Sequence, residues 1–91
     1  LQKEKLEKEL KQIYENDWIA IKKSYLINDI KHFSQKMIDF GRQYNLNTFD
    51  LYGKVLSKQV GNFEYENFPK TVDDFPKLIN LFFNTINQDK L

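Results

Sequence analysis

The sequence predicts an all-α fold, an antiparallel up-down bundle of four helices whose last helix is kinked at Pro76. Three observations carry this. Apolar residues recur three and four positions apart along successive stretches, the spacing that lines one helix face. Only three Gly and two Pro occur in 91 residues, too few for a sandwich or barrel with many tight turns. The links between stretches are short, which sets consecutive helices side by side and opposed. Residues 1–91 therefore read as one helical-bundle domain, and Leu1 in place of Met is expected of a domain excised from a longer protein.

The first predicted helix opens on a charged run, Leu1 to Lys11, with Leu6 and Leu10 one turn apart. Glu4 precedes Lys8, and Glu7 precedes Lys11, in the favoured order of an i,i+4 pair. Leu6, Leu10 and Ile13, then Trp18, Ile21 and Tyr25, continue the apolar stripe, with a phase slip near Glu15, Asn16 and Asp17. The stripe over residues 1–12 is thin. Part of that segment is expected to project from the bundle or to pack on a second copy, as a homodimer through the first helix. Trp18 and Tyr25, near the end of this helix, are read as a cap on the core, with an exposed anchor for a partner as the alternative.

A break at Ser24 to Asn28 follows, with Asn28 as N-cap and Asp29 at the positive end of the next helix. The second predicted helix runs from Asp29 to Tyr44, with Ile30, Phe33, Met37, Phe40 and Tyr44 forming its buried stripe. Asn45 suits the left-handed residue that closes it, and Asn47 or Thr48 suits the cap of the third. The third helix carries Phe49, Tyr52, Leu56 and Val60, with Leu51 and Val55 on the shoulder of the same face. Gly61-Asn62 is expected to end it. Gly41 and Gly53, each costly inside a helix, are expected to face each other where these two helices cross closely.

The last stretch repeats Phe68, Val72, Phe75, Ile79, Phe82 and Ile86 without a break in phase. Two short helices divided at Asp74 would fit it. The continuous phase across Pro76 favours one kinked helix instead.

Composition excludes much chemistry. Fourteen Lys plus Arg against thirteen Asp plus Glu leave no broad basic field for nucleic acid. The absence of Cys removes disulfides, thiolate metal sites and a Cys nucleophile together. A single His rules out a multi-histidine metal site, and no apolar run is long enough to enter a membrane. No cofactor is expected.

One residue type remains for neutral-pH chemistry. His32, the chain's one imidazole, is a possible phosphoryl acceptor. It lies about 120° from the centre of the second helix's apolar stripe, at the border of core and solvent. Lys36 follows one turn later on nearly the same line, where its charge would offset that of a transferred phosphoryl group. Spacing alone also fits an ordinary surface histidine. The pairs Asp73-Asp74 and Glu64/Glu66 read as wet helix faces, and Asp50 with Lys54 as an i,i+4 ion pair. Lys22, Lys23, Lys31, Lys36 and Arg42 make residues 1–61 net basic against a net acidic remainder, an asymmetry suited to orienting an acidic partner.

A bundle with its His on the second helix, a helical hairpin after it and a C-terminal helix resembles histidine-phosphotransfer domains. More narrowly, Trp18, the run Ile27 to Ile30, Phe33, Phe40-Gly41, Tyr44, Tyr52-Gly53, Leu56, Phe63 and the run Phe75 to Ile79 resemble a helical segment after the receiver domain of bacterial hybrid sensor histidine kinases. The resemblance implies a cytoplasmic domain of a two-component signalling protein, one that can belong to a membrane-anchored sensor. It implies a receiver or histidine kinase domain as partner.

The active helix of that family carries Lys three residues after the His and Gly four residues after it. Here those places hold Gln35 and Lys36, and aligning on Phe40-Gly41 instead puts Lys31 where the His belongs. The expected function is accordingly an interaction domain without catalysis of its own, docking on a receiver or kinase. The alternatives are an active phosphotransfer domain with His32 as phosphoacceptor, and a dimerisation or spacer bundle.

Overall fold

Helical periodicity carries through almost the whole chain. The computed structural model describes residues 2–88, and the side chains of residues 3–85; Leu1 and the side chain of Ile86 lie outside that description. The elements are α1 (Gln2–Gln12), a π-helical segment (Ile13–Trp18), α2 (Ile19–Ser24), α3 (Ile27–Gln43), α4 (Asn47–Gly61), α5 (Phe68–Asp73) and α6 (Phe75–Gln88). No strand occurs among the described residues, and no helix among them is long and apolar enough to cross a membrane. The molecule measures 42 × 21 × 20 Å, one long axis and two nearly equal short ones.

The α1, π-helical and α2 segments abut without a break in the helix. The five-residue step from Ile13 to Trp18 that reads as a phase slip is taken up by the wider π turn. Leu6, Leu10 and Ile13 are buried in the chain's own core, so the stripe expected to be thinly covered is covered. The expected Glu4–Lys8 and Glu7–Lys11 pairs do not form; Glu7 lies instead 3.9 Å from Lys3.

Helix ends depart from the expected caps. Tyr25 takes the left-handed conformation (φ 52°) and closes α2, and Leu26 is extended. The next helix can therefore begin at Ile27, two residues early, with Asn28 inside it rather than capping it. Asn45 is left-handed as expected (φ 56°). The helix after it starts at Asn47 with Leu46 in the N-cap place and no side-chain cap from Asn47 or Thr48. Gly61 is helical and Asn62 has a negative φ (−92°); the left-handed residue after α4 is Phe63 (φ 55°).

Packing follows the stripes. Ile30, Phe33, Met37 and Phe40 on α3, Tyr44 at its C-terminal cap, and Phe49, Leu56 and Val60 on α4 are buried together. Leu51 and Val55, expected on the shoulder of that face, are exposed, because they sit on the far side of α4 from its buried stripe. The contact between α3 and α4 depends on glycine, but the two glycines do not meet. A Cβ on Gly41 would run into the backbone nitrogen of Asp50, and one on Gly53 would lie 2.6 Å from the carbonyl oxygen of Ser34. Each glycine admits the opposite helix's backbone at its own level.

The last stretch is not one helix kinked at Pro76. It is divided two residues earlier, at Asp74. Proline has no N–H and its ring crowds the carbonyl four residues back, so it is tolerated in a first turn and not in an interior. The chain satisfies this by starting α6 at Phe75, with Pro76 in its first turn; Pro69 stands likewise in the first turn of α5. The phase survives the division. Phe68, Val72 and Phe75 are all buried, and Phe75 sits within 6.4 Å, centroid to centroid, of Tyr14, Trp18, Phe33 and Tyr52.

Candidate functional site

Helix α3 carries His32 and Lys36 one turn apart on its outer flank, both exposed. Across from them the π-helical segment presents Asn16 and Asp17, and the first turn of α3 adds Asp29. Together they line a cleft of about 410 Å³ floored by Ile21 and Phe33. A smaller recess of about 220 Å³ continues it past Glu9 and Gln12 and shares Asn16, Asp17 and Lys36.

The extra residue of a π turn shifts the register of the residues around it, and such turns often carry functional groups. Here Asp17, inside the π segment, accepts from the Lys36 ammonium at 3.0 Å. Helical spacing places His32 and Lys36 together, and the structure brings them into one cleft. Asp29 shares α3 with them, one turn before His32, whereas Asp17 comes from tertiary packing, 19 residues from its partner. The phase slip at Glu15 to Asp17 is the one signal in the sequence that points there.

His32 has no hydrogen-bond partner among the described residues. This bears on its chemistry. A nucleophilic imidazole attacks through one ring nitrogen, and a hydrogen bond at the other fixes the tautomer and aims the ring. Nothing among the described residues aims this one. The lysine that would offset phosphoryl charge is already paired with Asp17, and Asp29 adds a second carboxylate to the lining. Among the described residues no group of three or more metal-ligating side chains comes together.

A second polar cluster lies where α2 meets α5. Lys22 donates to the Asp73 carboxylate at 2.5 Å and to the Tyr25 hydroxyl at 2.6 Å, and Tyr25 donates to the same carboxylate oxygen at 2.7 Å. The Lys22 ammonium also lies over the rings of Trp18 and Tyr25. The hydrogen bond from Lys22, with that from Tyr25, holds the Asp73 carboxyl below its usual range; the bond to Asp73 raises Lys22 in turn. By its position in the sequence Asp73 belongs to a wet face. Its partners stand 51 and 48 residues away, beyond any local pattern.

Trp18 and Tyr25 are half-buried, as a core cap would be, and the indole N–H of Trp18 donates to the Val72 carbonyl at 2.7 Å. Tyr52 donates to the neighbouring Thr71 carbonyl at 2.7 Å. Burial first, and then the charges of Asp74 and Asp73, push the Tyr52 phenol far above its ordinary value. At the other end of the molecule the Tyr44 phenol is raised, chiefly by the Glu9 carboxylate it faces, although neither oxygen reaches a well-formed hydrogen bond.

The remaining sequence candidates are local. Glu64 accepts from Asn67 within its own turn, at 2.7 Å, and Glu66 is exposed. Asp50 receives Lys54 at 3.3 Å, as the spacing predicts, and Arg42 at 3.8 Å. Lys22, Lys36 and Arg42, three members of the basic set, thus each face a carboxylate. Comparison with protein-family models, with curated proteins and with solved structures finds no match for this chain.

Proposed function

We propose that this chain is a protein-interaction domain without catalytic activity of its own, an antiparallel four-helix bundle that docks on a receiver or histidine kinase domain of a two-component signalling protein. The cleft at His32 carries the reading. Its imidazole is exposed yet unaimed, and its lysine neighbour is held by Asp17. The position four residues after the His, which phosphotransfer domains keep as Gly for close approach of a receiver, holds Lys36. A partner docked there meets a long side chain tied by an ion pair where transfer needs bare backbone. The assignment to two-component signalling rests on the resemblance in the sequence.

The exposure of His32 favours one second reading, an active phosphotransfer domain with His32 as phosphoacceptor. One experiment separates the two. The chain is incubated with a phosphorylated receiver from the same organism, and both binding and acid-labile phosphohistidine are followed. Binding without label is the expected outcome. Label that disappears in His32→Gln overturns the proposal in favour of the phosphotransfer reading. Neither binding nor label leaves a dimerisation or spacer bundle.

A further inference from the structure

A groove of about 620 Å³ runs between α1 and α6, on a face that shares no lining residue with the His32 cleft. Its floor is apolar, with Tyr14, Ile79 and Phe83, and its α1 rim is charged, with Glu4, Glu7, Lys8 and Lys11. We infer that this groove is the contact between two copies of the chain, related by a two-fold axis, with their α1 helices antiparallel across it.

The charge order on the rim selects the occupant. Positions 4, 7, 8 and 11 share one helix face. When two such helices run antiparallel about an axis between residues 7 and 8, Glu4 of each copy meets Lys11 of the other, and Glu7 meets Lys8. The levels agree: at 1.5 Å rise per residue, Glu4 and Lys11 both stand about 5 Å from that axis. A parallel arrangement would set like against like. An isologous contact requires a self-complementary patch, and this rim is one. Within one chain these charges are left over, since among the described residues Glu4, Lys8 and Lys11 form no ion pair and Glu7 has only the long contact to Lys3. Lys8 and Lys11 line the groove, so in such a contact their alkyl stems can cover apolar surface while their ammonium groups reach the partner. The buried stripe of α1 stays in its own core, so dimerisation asks for no unfolding.

Charge exchange tests this. Sedimentation equilibrium of the whole chain is run for the wild type, for Glu4→Lys with Glu7→Lys, and for Lys8→Glu with Lys11→Glu. The wild type is expected to reach the mass of two chains, and more weakly at high salt. Each double variant is expected to stay single, while their equimolar mixture forms a mixed dimer, because every facing pair is then opposite in sign. Circular dichroism checks that each folds. Should a double variant lose helix, the fourfold exchange of all four residues, which restores every facing pair, is expected to dimerise like the wild type. A wild type that stays single at all concentrations, a dimer that survives in both double variants, a mixture that stays single, or a folded fourfold variant that does not pair overturns the inference.

Discussion

The indole N–H of Trp18 donates to the backbone carbonyl of Val72 across 54 residues, at 2.7 Å. That carbonyl lacks its usual helical donor because of Pro76. In an unbroken helix it would accept from the N–H four residues on, and proline has none. The missing N–H at the division of α5 from α6 thus leaves the acceptor that holds the end of the π segment against them. Trp18→Phe keeps an aromatic ring but takes the indole donor from the carbonyl, and is expected to cost about 1–3 kcal/mol in urea unfolding. Restoring an N–H with Pro76→Ala should shrink that cost. A cycle in which Trp18→Phe costs the same in both backgrounds would sink the link.

Phe75 stands beside that division and touches aromatic rings from the π segment, α3 and α4. It is fully buried. Phe75→Ala removes the ring that these elements share, and is expected to destabilise by about 3–5 kcal/mol. Thermal melting reads the effect, with a drop much larger than that of Ala at half-buried Phe83 in α6.

The glycines divide into two kinds. A methyl at position 41 or 53 would run into backbone atoms of the opposite helix, which cannot rotate away. Gly41→Ala and Gly53→Ala are each expected to destabilise by about 1–3 kcal/mol. Gly61 is helical and a methyl placed on it would meet nothing within 4 Å, so Gly61→Ala is expected to stabilise by about 0.4–1 kcal/mol. Equal melting temperatures for all three variants would show that close approach is not what the interior glycines serve.

Much of this fold is legible in the sequence because burial on one face is a local, periodic property. The stripes of α3 and α4, the left-handed Asn45 and the close approach at two interior glycines all follow from spacing and residue type. Three kinds of feature are not. Tyr25 and Phe63 take left-handed conformations that residue preference assigns to Gly or Asn; Tyr25 is packed against the core, while nothing in the structure explains the conformation of exposed Phe63. Unbroken phase argues for a continuous last helix, but the rule that proline belongs in a first turn outranks phase, and both prolines obey it. The Asp17–Lys36 pair and the Lys22–Asp73 contact join distant segments, so sequence spacing holds only the phase slip that brings Asp17 round.

The Lys22–Tyr25–Asp73 cluster has a pH signature. The Asp73 carboxyl is depressed in the folded chain, so its stabilising contribution is present above the unfolded carboxyl value, about 3.9, and fades as pH falls through the lower folded value. Lys22 is raised, so its contribution is present below the unfolded ammonium value and fades as pH climbs through the higher folded one. The pair is intact between. Asp73→Asn is expected to lower stability at neutral pH and to flatten part of the acid limb. Parallel acid limbs in variant and parent would remove Asp73 from the account.

The chain's sole histidine makes the proposed docking face directly observable. His32 is exposed at the cleft and has no hydrogen-bond partner among the described residues, so its ring should give a single narrow imidazole signal in the free protein. A receiver or kinase domain seated over the cleft changes the ring's solvent and charge surroundings together. Titration with that partner is expected to shift the signal and slow carbethoxylation of the ring in proportion to complex formed. Lys36→Ala, which removes the side chain across the approach and frees Asp17, should alter the affinity while leaving the fold intact, since an exposed ion pair contributes about 1 kcal/mol at most. A partner that binds yet leaves the His32 signal and its modification rate unchanged must use another face, and the cleft would then have no part in docking.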